Sequence, residues 1–260
     1  MYAKLRIELD SSQISYQQSS NLQGVLMEQI DTDYAQELHQ YSLNPYSQYV
    51  VKEKDKTVWY ICTVNEEAYE NIILPLEELK QITIRSRVMI QDSYDLHSMT
   101  GIVILLRYVI RGTFFVEGCG AVLYAVRFIP QYGLLQFCTP TAFKRDGKYV
   151  NYPDLRLVYG SLMRKYSAAS EELNMYDEET LEELVRNSEI IRYRLQTMPF
   201  PLEKVQINGF VGNVCIKIKG TETMANYIRL LCRFGEYSGV GIKTSMGMGA
   251  MQLHRREKHG

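Results

Sequence analysis

Five cysteines and four histidines are few for a chain of 260 residues, and their spacing excludes more than their number does. Cys62, Cys119, Cys138, Cys215 and Cys232 include no C-x-x-C pair and cannot all be paired, so neither a zinc site nor a disulfide framework is expected. Reduced thiols inside a cytoplasmic protein are the plain reading. No apolar run approaches the roughly 18 residues of a membrane span. The longest candidate, around Gly101–Leu106, is broken by Arg107 and Arg111. Met1-Tyr2-Ala3-Lys4-Leu5-Arg6-Ile7-Glu8-Leu9-Asp10 alternates like an opening strand and has no signal-peptide layout. Neither G-x-x-x-x-G-K-[ST] nor G-x-G-x-x-G fits any stretch, which argues against an enzyme built around a nucleotide cofactor. No metal and no cofactor are expected.

Excess charge is also lacking, since the net value is −1. That average hides a split. Glu171, Glu172, Asp177, Glu178, Glu179, Glu182, Glu183 and Glu189 face the single base Arg186 within twenty residues, a local net of −7 that leaves +6 over the rest. Such a run is ordinarily a solvated helix face, so a nucleic acid would bind elsewhere. Lys144, Arg145 and Lys148 surround Asp146-Gly147, a type I′ hairpin signal that puts basic groups at a tip. Arg164 and Lys165 follow in the next helix, and Arg192 and Arg194 recur at spacing two, hence on one face of a strand. As a set they could neutralise several phosphates, with Tyr149 or Tyr152 stacking on a splayed base.

Alternation and helical periods place strands at Tyr2–Leu9, Gln48–Lys54, Val58–Val64, Val122–Phe128, Leu134–Phe137, Ile190–Thr197, Val205–Ile218 and Ala250–His254. A strand-rich stretch runs from Ile82 to Ile110. Helices are expected over about 21–40, 75–80 and 153–187, the last with Pro153 in its first turn, and after a Thr221 cap. Each half is roughly β-α-β-β-α-β, which makes the fold class α+β: two ferredoxin-like domains with antiparallel sheets, at 1–118 and 119–260.

The densest signal is Gly239-Val240-Gly241-Ile242-Lys243-Thr244-Ser245-Met246-Gly247-Met248-Gly249. Glycines permit positive φ and close approach, so the pattern suggests a loop with N–H groups turned outward beside Lys243, as in phosphate-holding loops. Thr244 and Ser245 join Lys243 as expected contacts, while Met246 and Met248 read as packing residues. With "TPTAFKRDGKYVNYPD" at Thr139–Asp154 and "NGFVGNV" at Asn208–Val214, the segment "LLCRFGEYSGVGIKTSMGMGAM" resembles the sixth family of CRISPR-associated (Cas) proteins. The resemblance is densest over residues 120–255. It implies two ferredoxin-like domains in tandem and an endoribonuclease that cuts precursor CRISPR RNA within its repeats. CRISPR repeat RNA is then the partner; other subunits of an interference complex, and a homodimer, are left open.

RNA can be cut without metal, because its own 2′-hydroxyl can attack the adjacent phosphorus. The protein must then supply a base, a donor for the leaving 5′-oxygen and positive charge on the phosphate. The products are a 2′,3′-cyclic phosphate and a 5′-hydroxyl. The resemblance points to His39, because relatives carry a catalytic His in a similar "LH" at this helix's end. His39 lies about 100° off the stripe Leu22, Leu26, Ile30, Tyr34, Leu38 at standard helix pitch. The ordinary alternative is an imidazolium that offsets the helix C-terminal dipole. Two departures stand out: Met27 occupies the place of a Tyr found in some relatives, and no Lys or Arg occurs between His39 and Lys52. Lys52 and Lys243, followed by Tyr41, are therefore the candidates to complete the site. His97 is the second-choice base, while His254 and His259 belong to a basic tail. The alternative function is a non-catalytic RNA-binding subunit.

Overall fold

A computed structural model describes residues 2–9, 14–77, 81–86, 100–111, 132–170, 174–202 and 205–254. The first sheet opens with β1 (Ala3–Leu9), whose Ala3, Leu5, Ile7 and Leu9 all point into one core. Two helices follow, α1 (Ser19–Gln29) and α2 (Thr32–Gln40), where one was expected over 21–40. Ile30 takes an extended conformation, φ −101° and ψ 168°, and the Asp31 carboxylate accepts the N–H groups of Asp33 and Tyr34. An Asp cap outcompetes helix continuation because it satisfies two donors that a new first turn leaves free.

Next come β2 (Tyr46–Glu53) and β3 (Lys56–Thr63), then a helical stretch of α3 (Glu66–Ala68), a π turn (Tyr69–Ile73) and α4 (Leu74–Glu77). That stretch begins nine residues before the helix expected at 75–80. The hairpin β4 (Gln81–Ser86) and β5 (Thr100–Arg111) completes the sheet, whose order is β2-β3-β1-β5-β4, with antiparallel pairing throughout. Without the edge strand β4, this is the ferredoxin-like order.

The second unit has β6 (Tyr132–Thr141), the small hairpin β7 (Phe143–Arg145) and β8 (Lys148–Val150), α5 (Leu155–Ala169) and α6 (Glu178–Arg186). It continues with β9 (Ser188–Pro201), β10 (Gln206–Ile218), α7 (Glu222–Ser238) and β11 (Met251–His254). Its four-stranded sheet has the order β11-β6-β10-β9, again antiparallel. Asp154, rather than Pro153, opens α5 by accepting the Arg156 N–H at 2.8 Å. The helix expected over 153–187 is two, because Asp177 starts a new one as its cap. There Leu181 and Leu184 turn inward while Glu178, Glu179, Glu182 and Glu183 stay in solvent, with Arg156 bridging Glu178 and Glu182. The described part of the acid run, from Asp177 on, is a solvated face.

The expected strand at Val122–Phe128, the 118/119 boundary, His97, His259 and Cys119 lie outside the described residues. Cys62, Cys138, Cys215 and Cys232 are free, and burial pushes Cys138 up to about 11 and Cys232 up to about 12. No helix among the described residues is long and apolar enough to cross a membrane.

Strand alternation also builds the contact between the two units. Tyr46, Gln48 and Val50 of β2 turn toward α1 and α2, which leaves Ser47, Tyr49 and Val51 for the opposite face. There Tyr49 and Cys62 pack with Ala250, and the Ser47 hydroxyl donates to the Tyr237 carbonyl at 2.5 Å. Val64, Tyr166 and Phe234 form a further shared cluster, with Tyr2 and Tyr237 against it.

Candidate functional site

The glycine loop runs from the end of α7 to β11 and folds inward. The Val240 N–H donates to Gly249 O, Gly241 N–H to Ser161 Oγ, Ile242 N–H to Ala142 O and Gly249 N–H to Pro140 O, all at 2.9–3.1 Å. The outward cradle of N–H groups expected at Gly239, Gly241 and Gly249 is thus not present, since these amides already hold the loop to α5, α7 and the end of β6. Glycine is needed here for space. A Cβ on Gly249 would lie 2.0 Å from the Val240 carbonyl oxygen, and one on Gly247 would lie 2.2 Å from Ser19 Cβ.

Lys165 corrects the expectation of an RNA contact. Its ammonium is buried and donates to Ser238 O at 2.9 Å, Gly239 O at 3.3 Å and Thr244 Oγ1 at 2.7 Å. Burial alone pushes it down to about 7. Thr244 and Ser245 are buried too, so both serve the loop's own architecture rather than a surface. Lys243 differs from them: it sits at φ 55° in the left-handed region, and its side chain is exposed. The local twist that buries Thr244 and Ser245 turns Lys243 out.

This loop is seated on the first domain. Ser245 receives two bonds from it, Asn44 Nδ2 to Ser245 Oγ at 3.3 Å and Gln48 Nε2 to Ser245 O at 3.2 Å. Gln48 also donates to Ser19 O at 2.8 Å and accepts the Trp59 indole N–H at 2.8 Å, so one fully buried amide joins α1, β3 and the loop. Asn44 belongs to the five-residue link between α2 and β2, which begins at Tyr41, two residues after His39. His39 is exposed in the last turn of α2, whose inner side is Tyr34, Ala35 and Leu38. The Asn44–Ser245 bond thereby ties the segment after His39 to the loop that carries Lys243.

The remaining candidates fall in three places. Tyr41 is 39% exposed, but its hydroxyl donates to Glu37 Oε1 at 2.5 Å, and that bond pushes it up to about 12. It is a poor proton donor there. Beside it opens a cleft of about 520 Å³ lined in part by Tyr41, Glu66, Glu67 and Ala169, whose carboxylates make it unsuited to phosphate. Lys52 is exposed at the far end of β2, six residues beyond Tyr46 or about 20 Å at strand rise. That is the end of the strand opposite the link from α2, in whose last turn His39 lies.

Lys144, Arg145 and Lys148 are exposed on the β7–β8 hairpin, with Asp146 at φ 50° and Gly147 at φ 77° as a type I′ turn requires. Arg145 is partly engaged with Asp154 at 3.6 Å, and the Arg164 guanidinium lies 5.1 Å from the centre of the Tyr176 ring. Arg192 and Arg194 are exposed on the edge strand β9, opposite Cys215 and Asn213 and so on one face. Tyr149 and Tyr152 are half exposed near the hairpin. His254 bonds Gln136 Oε1 at 2.7 Å through Nε2. Among the described residues, no three His, Cys, Asp or Glu side chains are placed to hold a metal ion.

Gln48, Asn44, Ser19 and Ser161 had no role on sequence grounds. Two left a trace: Gln48 is a polar residue at an inward position of an alternating strand, and Ser161 breaks an apolar helix stripe.

Two ferredoxin-like units, the second sending a clamped glycine loop into the first, define a tandem ferredoxin-like protein. Residues 135–251 match the family of CRISPR-associated endoribonuclease Cas6. The chain is 32% identical over 235 residues to a CRISPR-associated endoribonuclease Cas6 of Streptococcus thermophilus, covering 90% of both chains. It is 34% identical over 234 residues to one of Mycobacterium tuberculosis, covering 90% of this chain and 70% of the other. Among solved structures, a Cas6 product complex has a TM-score of 0.75 at 24% identity, covering 97% of this chain and 99% of that one. A Thermus thermophilus Cas6 has a TM-score of 0.67 at 20% identity, covering 98% of each. The chain belongs to the Cas6 family of CRISPR-associated endoribonucleases.

Proposed function

We propose that this protein binds CRISPR repeat RNA and cuts it at one site without a metal ion, with His39 moving protons and Lys243 contributing positive charge. The observation that carries this reading is the Asn44–Ser245 bond, which ties the segment after an exposed His39 to the loop bearing an exposed Lys243. Two structural neighbours are a Cas6 product complex and a Cas6 substrate mimic complex, which supports RNA as the ligand. In the reaction the 2′-hydroxyl loses its proton to the neutral His39 imidazole as O2′ forms a bond to phosphorus. The P–O5′ bond breaks, O5′ takes a proton from water, and His39 returns its own proton to solvent. A 2′,3′-cyclic phosphate and a 5′-hydroxyl result. Lys243 offsets the charge that builds on the non-bridging oxygens.

Single-turnover cleavage of repeat RNA in EDTA tests the reading. Wild-type protein is expected to cut, and a 2′-deoxy substitution 5′ of the scissile phosphate should stop cutting but not binding. His39→Ala should slow the step by about 10²- to 10⁴-fold with affinity nearly intact. Cleavage that disappears in EDTA and returns with magnesium overturns metal independence. The position of Lys52 at the far end of β2 favours one second reading, a non-catalytic repeat-binding subunit. Tight binding with no cleavage by wild-type protein would establish it.

A further inference from the structure

We propose that Lys165 is a positioning residue: its buried amino group fixes the glycine loop in the conformation that presents Lys243 to RNA. The inference rests on the RNA-cleavage reading for its consequence, but its geometry stands alone. Ser161 and Lys165 lie four residues apart on α5 and so share a helix face. Ser161 Oγ holds the Gly241 N–H at 2.9 Å. Lys165 Nζ reaches past it to Ser238 O, Gly239 O and Thr244 Oγ1. The first two are carbonyls at the end of α7, where acceptors lack helical partners and the helix dipole is negative. The third lies across the loop, next in sequence to Lys243.

One amino group therefore joins the loop's start to its turn. Thr244 in turn packs against the loop's other glycines: its Cγ2 would be 2.8 Å from a Cβ on Gly239 and 3.0 Å from one on Gly249. None of these bonding partners is a carboxylate, and burial pushes the amino group down to about 7. A buried amine without a counter-charge is costly. A methionine would avoid that cost, and what it would lose is the three bonds to the loop.

Lys165→Met and Thr244→Val, each alone and combined with Lys243→Ala, test the proposal by single-turnover cleavage over a range of protein concentrations. Lys165→Met is expected to raise the half-saturating concentration about tenfold or more, the scale of one or two lost buried hydrogen bonds. The loss should fall on that concentration more than on the plateau rate. Lys243→Ala should weaken binding in wild type and add little in Lys165→Met, because a displaced loop no longer presents it. Thr244→Val should act in the same direction by less, and carries the cycle if Lys165→Met does not fold. Fully additive effects in the cycle overturn the proposal, as does wild-type affinity in Lys165→Met. Amide hydrogen exchange reads the loop without RNA: Gly241 and Ile242 should lose about tenfold of their protection in Lys165→Met while the β7–β8 hairpin is unmoved. Unchanged protection overturns the clamp. Lost protection in a protein that never cuts RNA would sink the cleavage reading and leave the clamp intact.

Discussion

The second domain carries two glycine-bearing basic turns, and they are built on opposite terms. The β7–β8 hairpin projects Lys144, Arg145 and Lys148 from a two-residue turn, and a Cβ on its Gly147 would meet nothing within 4 Å. The loop after α7 carries one exposed charge, Lys243, yet its glycines lie against backbone on several sides. In the hairpin, glycine supplies only a positive φ. In the loop it supplies positive φ and the room for two domains to meet. The hairpin holds its charges out in solvent, whereas the loop that carries Lys243 is fixed by hydrogen bonds to α5 and β2. A difference in glycine environment thus separates a turn that stands free in solvent from one packed between two domains.

Gly249→Val should break the loop most severely, because its Cβ would lie 2.0 Å from Val240 O at a φ of 72°. Overpacking combined with a disfavoured φ should cost about 3 kcal/mol or more, read by chemical denaturation. Gly247→Val should be damaged in the same way and lose RNA binding with stability rather than proton transfer. A wild-type melt for either would mean that the loop is not held as described.

Replacing Lys144, Arg145 and Lys148 together should leave stability almost unchanged and flatten the salt dependence of RNA binding. Each lost contact to single-stranded RNA should lower the slope by about 0.7, so the full set is worth about 2. Arg145 should contribute least, since Asp154 already shares it. An unchanged slope would show that the hairpin only decorates the surface.

A charged cluster away from both turns gives a control. Glu8 accepts Lys56 Nζ and an Arg6 guanidinium nitrogen, each at 2.6 Å, and those bonds hold its carboxyl below its ordinary value of 4.5. Because the folded value is depressed, the stabilisation is present above pH 4.5 and is lost as pH falls through the folded value. Glu8→Gln should cost about 2 kcal/mol at neutral pH and flatten the acid limb of the stability curve. An unaltered acid limb would show the cluster to be inert.

Gly147→Ala should cost only about 1 kcal/mol, the strain of a left-handed residue with no clash, and should leave RNA affinity alone. The smallest effect is expected from Glu179→Gln with Glu183→Gln, within about 0.5 kcal/mol and without change in binding. A large loss of affinity there would place RNA on the acidic face.

Much of the architecture was readable from residue order alone. Alternation in Ala3–Leu9 and the Asp146-Gly147 pair each prescribe their local structure, because side-chain period and turn chemistry act within a few residues. The same locality explains two misses. Asp31 and Asp177 could be read as caps, but whether a cap or a continuing helix wins depends on what the next turn packs against.

Lys165 shows where sequence stops. It stands beside Arg164 in a basic pair, and nothing in that dipeptide distinguishes the exposed cation over Tyr176 from the buried one under the loop. A rotation of about 100° per residue separates them, so the packing of α5 against α7 and the loop chose which would be buried. The inward turn of the loop's amides has a similar cause. Their acceptors are Pro140, Ala142 and Ser161, about a hundred residues or fewer upstream, and only the assembled sheet brings those oxygens within reach. Residue order determined that a glycine loop, a terminal helix histidine and an exposed-hairpin charge set exist. The seating of Ser245 on Asn44 and Gln48, which ties the loop to the link after α2, was decided by the tertiary structure, because buried polar groups take whatever partners the docked domains bring them.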